Sequence, residues 1–371
     1  MTSTRVVFDK KDSSNFFPVL RKRVQDYFSE KGISKHANAS MILKTVFILT
    51  VFASLYAVLL TQVFSPIVML LLCLVLGLFT AMVGLNIGHD AIHGAYSANP
   101  KVNRWMGMWF NMIGANDHIW RIKHNVLHHT YTNIPGHDDD INQPRIMRLS
   151  PTQPSAWYHR FQHFYVFLIY PLATLSWVFV QDYKKFFTKH LGSYDNSRYP
   201  RNEILRLFLF KAIYYTLFLV LPLVIIDLPW YHVLLGFALF HFAQGLILSI
   251  VFQMAHLVEG VEFPVPDEQG NVGRAWAAHQ MYTTADFSNR SRLMTFIVGG
   301  LNFQIEHHLF PHVCHVHYRA IAPIVKQTAE EFGLPYVVNA TLLDALRSHV
   351  RFLKVLGGPE SRMPVNSAQV A

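Results

Sequence analysis

The chain has 371 residues, of which 51% are hydrophobic, 14% aromatic and only 15% charged. Soluble domains carry about 25% charged residues, so this composition excludes an ordinary water-soluble enzyme and points to an integral membrane protein. The net charge of +9 is not gathered into one basic stripe, which argues against a nucleic-acid partner and for membrane lipids with anionic headgroups.

Residues 1–40 are polar, include Arg21, Lys22 and Arg23, and lack the apolar core of a cleaved signal peptide. They are expected to form a cytoplasmic N-terminal segment. Spanning a bilayer core takes roughly 20 apolar residues as a helix. Four stretches meet that standard: Met41–Thr61, Phe64–Gly88, Ile204–Ile226 and Trp230–His256. The links Gln62–Val63 and Asp227–Pro229 are short enough to make two antiparallel hairpins, and neither carries Lys or Arg. The N-terminus, the region from Lys101 to Arg201 and the tail after His256 carry many, so the hairpin tips are expected outside and both termini in the cytoplasm.

Between the hairpins, Asn99–Gly114 reads as an amphipathic interfacial helix with Trp105, Met106, Trp109, Phe110 and Met112 toward lipid. The polar stretch Asn133–Pro154 is turn-rich and holds an acidic triplet, Asp138, Asp139 and Asp140. Phe161–Val180 is apolar but contains Pro171. If it crossed the bilayer it would place His89 and His256 on opposite sides, so an interfacial or re-entrant course is expected. The fold class is thus all-α integral membrane: four transmembrane helices as two hairpins, interfacial or re-entrant helices, and a cytoplasmic histidine-rich cap. One domain is expected over 41–356, and 357–371 reads as a disordered tail. Cys73 and Cys314 fit neither a disulfide framework nor a CxxC metal site.

Histidine is the anomaly, with 21 copies. NIGHDAIHG closes the second span and sets His89 and His93 one helical turn apart on one face. KHNVLHHTYTN supplies His124, His128 and His129; the adjacent pair is rotated by about 100°, so it can serve two metals. LNFQIEHHLFP supplies Gln304, His307 and His308, and FQMAH ends the last span with His256. A lone histidine such as His232 or His241 is better read as packing. Eight histidines exceed one tetrahedral zinc site and suit two metals with open positions. Imidazole serves iron, copper, nickel and zinc alike, so residue chemistry leaves the element open. Polar groups at membrane depth mark function.

HDAIH, HNVLHH and QIEHH, in this order between two apolar hairpins, resemble the three histidine boxes of membrane fatty acid desaturases, and the likeness runs from about Met41 to Tyr318. The glutamine of the third box resembles the front-end subgroup, which places a double bond between an existing one and the carboxyl end and includes acyl-lipid and linoleoyl-CoA-type enzymes. HQMYTTADF, with His279, adds to the match.

The resemblance implies an oxidoreductase that introduces a cis double bond into an acyl lipid or acyl-CoA, with two Fe2+ ions and O2 as co-substrate. The implied metal ligands are His89, His93, His124, His128, His129, His256, His307 and His308, with Gln304 coordinating directly or through water. Full reduction of O2 to water takes four electrons; the substrate gives two, and an external donor gives two. No HPGG haem motif is present, so the donor is expected to be a ferredoxin or a separate cytochrome b5 with its reductase, and the setting a bacterial inner membrane. Asn86, Asp90, Asp286 and Glu306 are candidates for hydrogen bonds that orient the imidazoles. Trp120 is a candidate wall of the acyl channel. The competing readings are a related di-iron hydroxylase or ketolase, and a non-catalytic zinc-binding membrane protein.

Overall fold

The computed structural model describes residues 6–9, 15–142 and 145–358; the expected tail lies outside them beyond position 358. The first hairpin pairs Ala39–Thr61 with Pro66–Ile92, and the second pairs Arg201–Ile225 with Trp230–His256. Their ends follow local chemistry. Asn38 caps the first helix by accepting the Met41 N–H at 3.0 Å, and Pro66 opens the second, where a missing N–H costs nothing. At the opposite end Gln62 adopts a left-handed conformation, donates to the Ile225 carbonyl and accepts the Asp227 N–H, tying one hairpin tip to the other.

The two hairpins meet along Pro66–Ile92 and Trp230–His256. A side chain at Gly77 would overlap the Phe240 carbonyl and the Ala243 methyl, so the backbones approach as only glycine permits. Many residues on the outer faces, such as Leu43, Ile67, Leu205 and Val224, are exposed, as lipid-facing positions are. The chain is an integral membrane protein.

Trp157–Phe186 is a fifth helical stretch long and apolar enough to cross a membrane, one more than the four full spans expected. It is not a straight rod. A 3-10 turn at Tyr170–Leu172 and a π turn at Trp177–Gln181 interrupt it. At the first of these the Pro171 carbonyl rests on Gly245, near the middle of the last long helix. One end is tied to the histidine side of the molecule by Gln162, which bonds Arg148 N and Leu353 O. The other end is tied to that same side through the Lys185–Asp139 ion pair.

Asn99–Gly114 is mostly helical as expected, but not every residue expected toward lipid is exposed. Pro100–Gly107 and Trp109–Met112 are helical and Trp105 is exposed, but Phe110 turns inward onto Trp120 and is buried. After His256 the chain builds a cap. Phe16–Lys31 packs on Tyr318–Glu331, sealed by Arg23 bonding Glu331 at 2.6 Å. Strand Ala285–Phe287 pairs in parallel with Val337–Asn339, a short sheet that the all-α expectation lacks. Leu342–Leu356 opens with a reciprocal cap between Thr341 and Asp344 and closes over Tyr170 through His349.

Gly245→Val should force the Pro171 turn away from the last helix. Overpacking of this kind costs about 1–3 kcal/mol, so the variant should unfold at a lower temperature in detergent, read by the loss of its monodisperse chromatographic peak on heating. An unchanged transition would show that this contact is not tight.

Candidate metal centre

Three local features deliver the histidines. Val83–Gly88 winds as a π turn immediately before His89, and Arg121–His128 winds as a second one. With i→i+5 winding, positions four and five residues on straddle the starting position. His128 and His129 therefore flank the azimuth of His124, with ring centroids 5.3 and 4.7 Å from it. The sequence spacing suggested this division of labour for an α-helix; the π turn tightens it around His124. The third contribution is the short helix Gln304–Leu309, whose start is held by Asp286 accepting the Ile305 N–H at 3.0 Å.

All eight histidines are buried, and so is Gln304. They form two adjacent groups. In one, ring nitrogens of His89, His93, His124 and His307 all lie within 4.8 Å of one another. In the other, His128, His256 and His308 do the same, and Gln304 Nε2 stands 3.2 Å from His256 Nε2. His129 lies between them, its ring 4.5 Å from His307 and 4.4 Å from His308.

The outer nitrogens of this second group are anchored. His128 Nδ1 donates to Asp138 at 3.1 Å, His256 Nδ1 to the Thr283 carbonyl at 3.2 Å, and His308 Nδ1 to Gln280 Oε1 at 2.8 Å. Each anchor fixes the tautomer that leaves an Nε2 lone pair facing inward. His307 Nδ1 is 3.1 Å from the Tyr318 hydroxyl. The inward nitrogens His93 Nε2, His128 Nε2 and His307 Nε2 are buried without a hydrogen-bond partner among the described residues. Buried polar atoms are normally paired, and a row of unpaired lone pairs converging on one volume is what a metal cation satisfies.

Electrostatics point the same way. Burial pushes the imidazoles of His93, His124, His129, His307 and His308 well below their usual range, and neighbouring rings push further in that direction. They are neutral, the form that ligates metal. His128 departs from the others. Burial lowers it, but the Asp138 carboxylate outweighs burial and raises it.

The expected orienting residues bond elsewhere. Asn86 donates to the Met82 and Ile297 carbonyls, and Asp90 binds His315 at 2.8 Å and the Cys314 thiol at 3.0 Å. Glu306 accepts from Tyr336, which also bonds Asp286; burial raises both carboxyls above the usual range, and the Asp286 charge raises Glu306 further. Among the described residues none of these four side chains hydrogen-bonds a ring of the cluster. Asp138, Gln280 and Tyr318 do so instead. Asp138 lies in the acidic triplet, ten residues after His128, a position with no helical relation to it. His279 is also outside the cluster, bonding the Thr132 carbonyl at 2.9 Å.

The architecture is that of a membrane-embedded, histidine-rich metalloenzyme. The family model for fatty acid desaturase matches residues 65–340. The chain is 37% identical over 365 residues to the sn-1 linoleoyl-lipid 6-desaturase of Arthrospira platensis, covering 97% of each chain. It is 37% identical over 363 residues to the enzyme of the same description from Synechocystis, covering 96% of this chain and 99% of that one. It is 39% identical over 360 residues to the acyl-lipid (8-3)-desaturase of Physcomitrium patens, covering 95% of this chain and 74% of that one. The protein belongs to the fatty acid desaturase family, whose members are oxidoreductases that introduce double bonds into fatty acids.

Asp138→Ala should leave the histidines in place but free the His128 ring. Loss of such an anchor lowers metal affinity by about 10–100-fold. Metal content of the purified protein after dialysis against a graded chelator should fall at correspondingly lower chelator concentration than in the wild type; equal retention would show that Asp138 does not support a ligand.

Proposed function

We propose that the protein is an O2-dependent di-iron acyl-lipid desaturase of the front-end type, which forms a cis double bond on the carboxyl side of an existing one. The observation that carries this reading is the pair of adjacent histidine groups, with His129 between them. His89, His93, His124 and His307 would hold one iron. His128, His256, His308 and Gln304 would hold the other, with His129 at their junction. When bound, the irons supply the O2-dependent removal of hydrogen from two adjacent methylenes, with two electrons from an external donor such as a ferredoxin or a free cytochrome b5. The remaining tasks fall to the protein. Asp138, Gln280 and the Thr283 carbonyl hold protons on the outer nitrogens, so the inner ones stay free for metal.

The acyl chain has a route. A cavity of about 410 Å3 lies between the broken helix and Trp230–His256, lined by Ile169, Leu172 and Phe252 and ending on His128 and His256. A separate, much tighter cleft between the long helices reaches His89. Trp120, Trp177 and Phe252 line both, and Trp120 faces His124 at 5.2 Å between centroids. Trp120 would therefore guide the chain past the irons.

The shared site supports a membrane topology of four full spans. His89 ends one long helix and His256 another, and both join one cluster, so an even number of full crossings separates them. Arg201–Ile225 and Trp230–His256 supply two. Trp157–Phe186 then enters and returns on the same side, which its turn against Gly245 supports. The excess of Lys and Arg on that side favours a cytoplasmic site and cytoplasmic termini, in a bacterial inner membrane.

Two measurements test this. Lipids of an expressing host should gain species lighter by two hydrogens, with the new double bond on the carboxyl side of an existing one. The variant His128→Ala should insert normally and make none. A gain of oxygen instead would assign a hydroxylase, and product from the variant would sink the ligand set. Single cysteines at Ser155 and Ser193, which flank the broken helix, should react with an impermeant thiol reagent from the same membrane side; reaction from opposite sides would make this helix a full span.

A further inference from the structure

The larger cavity carries several polar side chains, and nearly all are committed. Lys123 lies 3.1 Å from Asp139 and 3.8 Å from Asp140. Asn133 donates to the His256 and Glu262 carbonyls. Ser249 donates to the Tyr170 carbonyl, and Gln181 donates to the Ser176 hydroxyl. Two carboxamide oxygens of this wall, Asn133 Oδ1 and Gln253 Oε1, are buried without a partner among the described residues, and Gln253 is the one of the two that makes no hydrogen bond through its nitrogen either. Its carboxamide has no hydrogen-bond partner among the described residues, and its Oε1 is shut off from solvent. It lines this cavity from the last long helix, three residues before His256, a rise of about 4.5 Å along the axis. The Trp120 indole N–H also lacks an acceptor, but its ring stands against His124 where the route narrows.

An acyl chain running through this route has a fixed polarity. The glycerol headgroup needs the width and the polar wall of the larger cavity, so the carboxyl end lies there and the methyl end points away from it, toward the tight cleft beside His89. The acyl segment brings one strong polar acceptor into that cavity, its carbonyl oxygen. When the new double bond lies near the carboxyl end, that carbonyl sits only a few methylenes from the reacting carbons and cannot remain in the headgroup layer. A buried carbonyl without a donor is costly, and Gln253 offers an uncommitted N–H beside the second histidine group.

We propose that Gln253 donates a hydrogen bond to the carbonyl oxygen of the bound acyl ester or thioester, and thereby sets which methylenes face the metal centre. Gln253 is then a specificity-determining residue that measures the chain from its carboxyl end. The inference rests on the desaturase reading above and on the carboxyl-side position of the new bond.

The test uses the full-length protein in host membranes, with Gln253→Met removing the donor at nearly constant volume and Gln253→Glu removing it with a polar side chain. Wild type should give a single double-bond position. Each variant should keep its metal content, raise KM for a linoleoyl phospholipid about 5-fold, the loss expected for one neutral hydrogen bond, and add isomers displaced by one or two carbons. Comparing phospholipid with acyl-CoA separates ester from thioester as the carbonyl source. A single unshifted position with unchanged KM in a variant that retains metal would overturn the assignment, as would a uniform fall in kcat alone. Wild type that makes no double bond, or makes one on the methyl side of an existing bond, would instead overturn the desaturase reading itself.

Discussion

The structure depends on one demand: eight buried imidazoles must be held in two adjacent groups, with several of their nitrogens left unpaired among the described residues. A polar atom buried without a partner costs about 1–3 kcal/mol. Several such atoms converge here, so the cluster is tolerable only because a metal discharges the cost, or because the surrounding frame is strong enough to hold it without one. The frame shows how much is invested. The boxes arrive on two π turns and a short helix whose start is pinned by Asp286. The outer nitrogens are then fixed by groups from the acidic loop, from the Trp276–Thr283 helix and from the start of Tyr318–Glu331. Segments far apart in the chain are thus committed to one set of nitrogen positions.

The hairpins set that cluster beside a cavity between membrane helices. Gly77 and Gly245 bring three segments close enough that the last long helix contacts both the first hairpin and the broken helix. The same helix carries Gly245, Leu248, Gln253 and His256, so packing, cavity wall and one member of the histidine cluster are set by the phase of one helix. The 3-10 turn at Pro171 interrupts the broken helix, and the larger cavity lies beside it.

Much of this was legible in the residues. The hairpins follow from apolar length, and the cluster from histidine spacing, because a ligand set written in three boxes repeats its own geometry. His256 was legible too, since FQMAH stands at the end of an apolar run. What was not legible is long-range. Asp138 reads as one carboxylate in a turn, and nothing local says that it reaches back to His128. The acidic residues next to the boxes, Asp90 and Glu306, looked better placed, yet adjacency in sequence points their side chains away from the rings and toward His315 and Tyr336. The π turns were hidden for a related reason: a one-residue widening of the helix leaves the apolar pattern intact and changes only where the rings point. The parallel pair of three-residue strands is too short to leave an alternation, and its partners lie some fifty residues apart.

The two histidine groups are not equivalent, and the difference lies in charge. Carboxylate-rich di-iron bundles neutralise their metals with ligating Glu, whereas the ligand set proposed here contains no carboxylate. Negative charge enters at one remove instead. Asp138 stands behind His128, and the raised His128 imidazole records how strongly the two interact. In the first group, Asp90 is spent on His315, which lies 3.0 Å from Lys44, so its charge is answered before it reaches a ring. The group containing His128 is therefore the more electron-rich. A carboxylate behind an imidazole strengthens it as a donor and favours the higher oxidation state of the metal it holds. That asymmetry falls on the group that the larger cavity reaches, so on the di-iron reading proposed above the two metals would be biased through the residues behind their ligands.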